Sequence, residues 1–117
     1  MGMPGDKNAV ISCVKEYINE NFDQELSLDI LGEVVHLHPA YLSKIFKEVT
    51  DGNLSAYIVD IRMQKAAELL EQTNLKVHEV MEVIGYKKSQ HFSRLFKEKY
   101  GVTPNEYRKY MTMENRK

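Results

Sequence analysis

Laid on itself at a shift of 50 residues, this chain nearly repeats. Leu42-Ser43-Lys44-Ile45-Phe46-Lys47-Glu48 falls on Phe92-Ser93-Arg94-Leu95-Phe96-Lys97-Glu98, and Tyr57 falls on Tyr107. Upstream the shift is 49, which puts Glu33-Val34-Val35 on Glu82-Val83-Ile84 and Leu28 on Val77. The change of one residue falls in a turn between two segments, where an insertion costs little. Apolar positions match apolar positions, and charged positions match charged ones. Such a chain folds as two copies of one supersecondary unit.

Spacing makes the copies helical. No alternating apolar run is long enough for a sheet, so the predicted class is all-α with about seven helices. Asp6 or Asn8 can cap a first helix striped by Val10, Ile11, Val14, Tyr17 and Ile18. Ser27 caps a second, carrying Leu28, Leu31, Val34 and Val35 inward. After a tight turn at His36-Leu37-His38, Pro39 opens a third helix with Leu42, Ile45, Phe46 and Val49 inside. Asn53 caps a fourth from Leu54 to Gln72, striped by Tyr57, Ile58, Ile61, Ala66, Leu69 and Leu70. A fifth spans Val77 to Ile84 and stops at Gly85, in a left-handed conformation. The sixth runs from Ser89 to Tyr100, with Phe92, Leu95 and Phe96 inward and Lys99 near that face, and stops at Gly101. Thr103-Pro104-Asn105-Glu106 is a capping box for a seventh, and the polar residues after Tyr110 are expected to fray.

A short helix, a tight turn and a second helix are the parts of a helix-turn-helix, whose second helix enters the major groove of DNA. The outer face of the sixth helix carries Ser89, Gln90, Ser93, Arg94 and Lys97, with Lys88 just before it. The matching face of the third carries Ala40, Ser43, Lys44 and Lys47. Short polar residues, an amide and flanking cations suit base edges and phosphates. Arg94 suits a bidentate bond to guanine, with a phosphate clamp as its alternative. Gln90 either pairs with adenine or caps the helix start. Lys47 and Lys97 suit phosphates or a solvated face. Lys44 parallels Arg94 in a more acidic setting and is expected to contribute less. His91 either faces DNA or packs beside Phe92. A helix of 19 residues between the units is about 28 Å long, near the roughly 34 Å that separates successive major-groove faces.

Charge agrees with that reading in its distribution rather than its sum of −1. The balance is −5 from Asp6 to His36, −2 from Leu37 to Val83 and +6 from Ile84 to Lys117. A basic last third on an acidic remainder is the asymmetry a phosphate-facing surface produces, although a solvated basic tail has the same composition. The four histidines lack zinc spacing, and a lone cysteine, Cys13, completes neither a metal site nor an internal disulfide. No metal or cofactor is expected, and a reducing cytoplasm is the expected location. No nucleophile–base arrangement, phosphate loop or apolar span long enough for a membrane is present, so neither an enzyme nor a membrane protein is expected. The competing reading is a helical protein-interaction module using the acidic first third as its contact surface.

These residues resemble the DNA-binding domain of the AraC family of bacterial transcription regulators. The resemblance rests on Leu37 to Lys47, Tyr57-Ile58 through Arg62, Ala66 to Leu70 and, most specifically, Gly85 to Lys97. It continues through Gly101, Thr103-Pro104 and Tyr107-Arg108. It implies two helix-turn-helix subdomains joined by a linker helix, reading consecutive major grooves of double-stranded promoter DNA. It further implies RNA polymerase or an upstream regulatory domain as partner, and an isolated domain that is monomeric. Arg62 is implied to be structural, paired with a carboxylate. The family usually has alanine where Gly32 and Met81 stand, so the first helix of each unit is expected to pack differently. Asp51 replaces a usual glycine and tolerates the left-handed conformation. Lys88 adds a cation that suits a phosphate. His38 replaces a usual serine or asparagine and is expected to weaken the cap of the first recognition helix.

The expected division is a leader or linker remnant at 1–6, a first subdomain at 7–53, a linker helix at 54–72, a second subdomain at 73–112 and a frayed tail at 113–117. Either a small stand-alone activator or the C-terminal piece of a longer regulator fits this layout, and the non-helical start favours the latter.

Overall fold

Most of the helices begin where a side chain can satisfy a free amide of the first turn, and this sets the architecture. The structure, a computed structural model, describes the backbone of residues 6–115 and the side chains of residues 6–112. The leader before Asp6 and the last two residues of the expected tail lie outside the described residues.

Among the described residues the order is α1 (Lys7–Glu20), α2 (Leu28–Val35), α3 (Pro39–Thr50), α4 (Leu54–Gln72), α5 (Val77–Val83), α6 (Ser89–Tyr100) and α7 (Pro104–Asn115). The all-α class matches the expectation. Asp6 accepts the Asn8 amide at 2.9 Å, Ser27 that of Ile30 at 3.1 Å, and Asn53 that of Ala56 at 2.7 Å. At α7 the box is reciprocal: Glu106 accepts from the Thr103 amide at 2.9 Å, and Thr103 Oγ1 accepts from the Glu106 amide at 3.2 Å. α7 extends past Tyr110 to Asn115.

His38 corrects an expectation. Its Nδ1 accepts the Ala40 amide at 3.1 Å, so the imidazole caps α3 just as a serine or asparagine does.

The repeat reappears in the backbone. His36 and Gly85, 49 residues apart, are both left-handed at φ 58° and 90°. Asp51 and Gly101, 50 apart, are both left-handed at φ 63° and 80°. The first member of each pair is not glycine, a conformation that Asp and His adopt more readily than bulkier residues. In each copy an aromatic of the recognition helix meets a tyrosine edge-on: Phe46 with Tyr57 at 5.7 Å and Phe96 with Tyr107 at 5.3 Å between centroids.

Two compact units, Met1–Ile58 and Val59–Lys117, divide inside α4. In the first, α1, α2 and α3 pack on one another, burying Val14, Ile18, Leu31, Val35, Leu42 and Phe46. In the second, α6 packs on α5 and α7, with Met63, Val80, Ile84, Phe92 and Phe96 inside. Met63 and Tyr86 are buried although neither stands out in the apolar spacing. Leu28, expected inward, is exposed because it opens the first turn of α2, beyond the reach of the core. Val34, Val49, Leu69 and Leu95 are half-buried at the rims of their stripes.

Arg108 closes the second unit. Its Nε donates to the Leu70 carbonyl at 3.2 Å, Nη2 to that of Thr73 at 3.2 Å, and Nη1 to that of Leu75. One guanidinium thus satisfies one carbonyl in the last turn of α4 and two in the segment that follows it. Nearby, the Tyr107 hydroxyl donates to Glu71 at 2.7 Å. Burial first, and then that bond, raise the Tyr107 phenol well above its ordinary range.

Candidate nucleic-acid interface

The two recognition helices are held by their apolar sides, which decides what their other sides can do. In α6, Phe92 and Phe96 are buried, and side chains advance by about 100° per residue around the axis. The arc opposite those two phenylalanines centres on Arg94, with Gln90 and Lys97 on one flank and Glu98 and His91 on the other. All five are exposed. In α3, Leu42 and Phe46 are buried, and the opposite arc centres on Lys44, with Ala40 and Lys47 on one flank and Glu48 and Tyr41 on the other, all exposed.

Most of the sequence-chosen residues therefore share one ridge in each unit. Ser43, Lys88 and Ser89 are also exposed, but Ser93 is half-buried. His91, Glu98, Tyr41 and Glu48 belong to the ridges and were not chosen. An acidic or aromatic residue gives no phosphate-binding signal in a sequence, although the same spacing that selects Arg94 and Gln90 also selects them.

Local packing fixes the start of α6. His91 meets the buried Tyr86 ring edge-on at 5.4 Å, and Arg62 lies over that ring with its guanidinium carbon 5.5 Å from the centroid. Lys88 occupies the N-cap position of α6 without a side-chain cap bond. Lys88, Ser89, Gln90, His91 and Arg94 line an open depression of about 670 Å³ there. Free amides and two cations at a helix N-terminus favour an anion. A different depression in the first unit, on α2 and its turn, is lined by Asp29, Gly32, Glu33, His36, Leu37 and Pro39 and carries carboxylates.

Among the described residues three ion pairs involve side chains of the recognition helices. Lys99 bonds to Asp60, so it serves the second unit rather than the outer face. Lys7 of α1 meets Glu48 at 3.0 Å, and that bond and charge raise the lysine above its ordinary range. Arg94 Nε lies 4.0 Å from Glu98 Oε1, one turn along. Among the described residues no group of three or more histidine, cysteine or acidic side chains is placed to hold a metal ion, and no helix is long and apolar enough to cross a membrane.

A family model described as a helix-turn-helix domain matches residues 31–110. The regulatory protein SoxS of Salmonella typhimurium is 32% identical over 99 residues, which are 85% of this chain and 92% of that protein. The chain belongs to the AraC-type helix-turn-helix family. It is an AraC-type DNA-binding domain of the kind found in transcription regulators. The C-terminal domain of AraT, a response regulator from Geobacillus stearothermophilus, superposes with a TM-score of 0.82 at 37% identity, covering 86% of this chain and 84% of that one. The DNA-binding domain of AdpA, solved in complex with a target DNA, superposes at 0.84 and 18% identity over 89% of this chain and 94% of that one. That last likeness concerns the AraC-type fold. Against three other relatives the chain spans only 12%, 49% and 36% of their lengths.

Proposed function

We propose that this domain binds double-stranded promoter DNA sequence-specifically, inserting α3 and α6 into adjacent major-groove segments. The observation that carries the reading is the recurrence, at one register, of an exposed ridge centred on a cation on the second helix of each unit. Arg94 reads a base, with Gln90 beside it; Lys88, Ser89 and the free amides of α6 meet phosphate; Lys97 and Lys47 meet phosphates at the flanks. Ala40, Ser43 and Lys44 form the lighter contact of the first unit, where a small residue lets the helix approach closely. Ser93, half-buried, supports the ridge from its edge. The domain performs no catalysis of its own and acts through RNA polymerase or through a regulatory domain elsewhere in a longer protein, in the cytoplasm. Alone it is a monomer, since two linked units supply two contacts without a partner.

Selection of binding sites from random duplexes tests this. The expected result is an enriched motif with an informative guanine, and Arg94→Ala should weaken binding to the selected duplex by about 1–3 kcal/mol while erasing preference at that base pair. A chain that enriches no motif at moderate salt sinks the proposal. Binding that is insensitive to salt, with a protein partner captured on the acidic α1–α2 surface, supports the interaction-module reading instead.

A further inference from the structure

Both recognition helices carry a carboxylate one turn after their central cation, Glu48 after Lys44 and Glu98 after Arg94. Helix stability does not account for it. A carboxylate in the last turn opposes the helix dipole, and an acid placed after its cation is the weaker order for a pair one turn apart. A negative charge on a phosphate-facing ridge also lowers affinity for any duplex. The two copies then treat it differently. In the first unit Lys7 binds Glu48 at 3.0 Å, and among the described residues Lys44 forms no ion pair. In the second, Glu98 Oε1 lies 4.0 Å from Nε of Arg94, with both side chains about two-thirds exposed (65% and 68%). Nε is the inner edge of the guanidinium. A carboxylate beside it leaves Nη1 and Nη2 free as a pair, which is the edge that matches guanine O6 and N7.

Resting on the groove-insertion reading above, we propose that Glu98 is the positioning residue for Arg94. It restrains the guanidinium with its terminal nitrogens toward the base edge, so the second unit discriminates sequence. The first unit, whose Glu48 is held by α1, leaves Lys44 as a point charge for the backbone.

The test measures dissociation constants of the intact chain for its selected duplex and for the same duplex with the Arg94-dependent guanine pair replaced. Wild type, E98A, E98Q, R94A and R94A/E98A are compared at one salt concentration. E98A should lower the ratio between the two duplexes on the order of two- to fivefold, as expected for an exposed pair of this spacing, with binding to the replaced duplex unchanged or tighter. E98Q should fall between E98A and wild type. R94A/E98A should discriminate no worse than R94A. If E98A tightens both duplexes by one common factor, the carboxylate only repels phosphate and the proposal is overturned, even with R94A behaving as expected. If R94A itself leaves discrimination intact, the groove-insertion reading fails, and this one fails with it.

Discussion

Gly32 and Met81 hold the same place in the two copies, yet one position admits no side chain and the other buries a long one. A Cβ on Gly32 would stand 2.6 Å from the Leu37 carbonyl oxygen, a backbone atom in the following turn. That turn is one residue shorter than its counterpart, and its chain folds back against the helix. Gly32→Ala should therefore lose about 1–3 kcal/mol to the clash, offset by about 1 kcal/mol of helix propensity. Chemical denaturation checks this, and a variant more stable than wild type would disprove it. Residue chemistry that acts locally was legible in the sequence: Ser27, Asn53 and the Thr103–Glu106 box cap the helices expected of them. Placement that depends on distant neighbours was not. Tyr86 is buried because α6 folds over it, with His91 and Phe92 against its ring, and Ser93 is half-buried although Ser43, at the matching place in α3, is exposed.

At the scale of elements, most helix starts are held by short-range side-chain bonds and most ends by local backbone bonds, while the end of α4 also draws on a distant side chain. The α7 box is charged, and the hydrogen bond from the Thr103 amide holds the Glu106 carboxyl below its ordinary value of 4.5, with the Thr103 side-chain bond adding to it. A lowered carboxyl contributes stability in full above its unfolded value and loses it as pH falls through the folded one. Melting temperatures of wild type and Glu106→Ala should therefore differ near neutral pH and converge as the pH falls through the lowered value of the folded carboxyl. A gap that is constant across that range would show that the charge plays no part. The other end of α4 is closed from α7 by Arg108, a contact no local pattern announces because its partners lie more than 30 residues upstream.

For the whole molecule, the proposed contact rests on where charge lies. The last third carries +6 and the first −5, so attraction to a polyanion is concentrated on the second unit. Each phosphate contact releases counterions and adds about 0.9 to the slope of log affinity against log salt. Lys97→Ala should therefore weaken all duplexes alike and reduce that slope by about 1, measured by titration at several salt concentrations. An unchanged slope would remove Lys97 from the phosphate-binding set. The repeat made the ridges legible because one helix face appearing twice is a stronger signal than either alone. It left Glu98 unread, since its interest comes from the guanidinium beside it.

The division of α4 at Ile58 has a constructive corollary. Its opening turns stand to the first copy as α7 stands to the second, with Tyr57 and Tyr107 marking the common register. Duplication thus needed no spacer, because the closing helix of one module was extended into the opening helix of the next. Splicing a third module onto α7 by the same rule gives an engineer a way to lengthen the array without inventing a new joint.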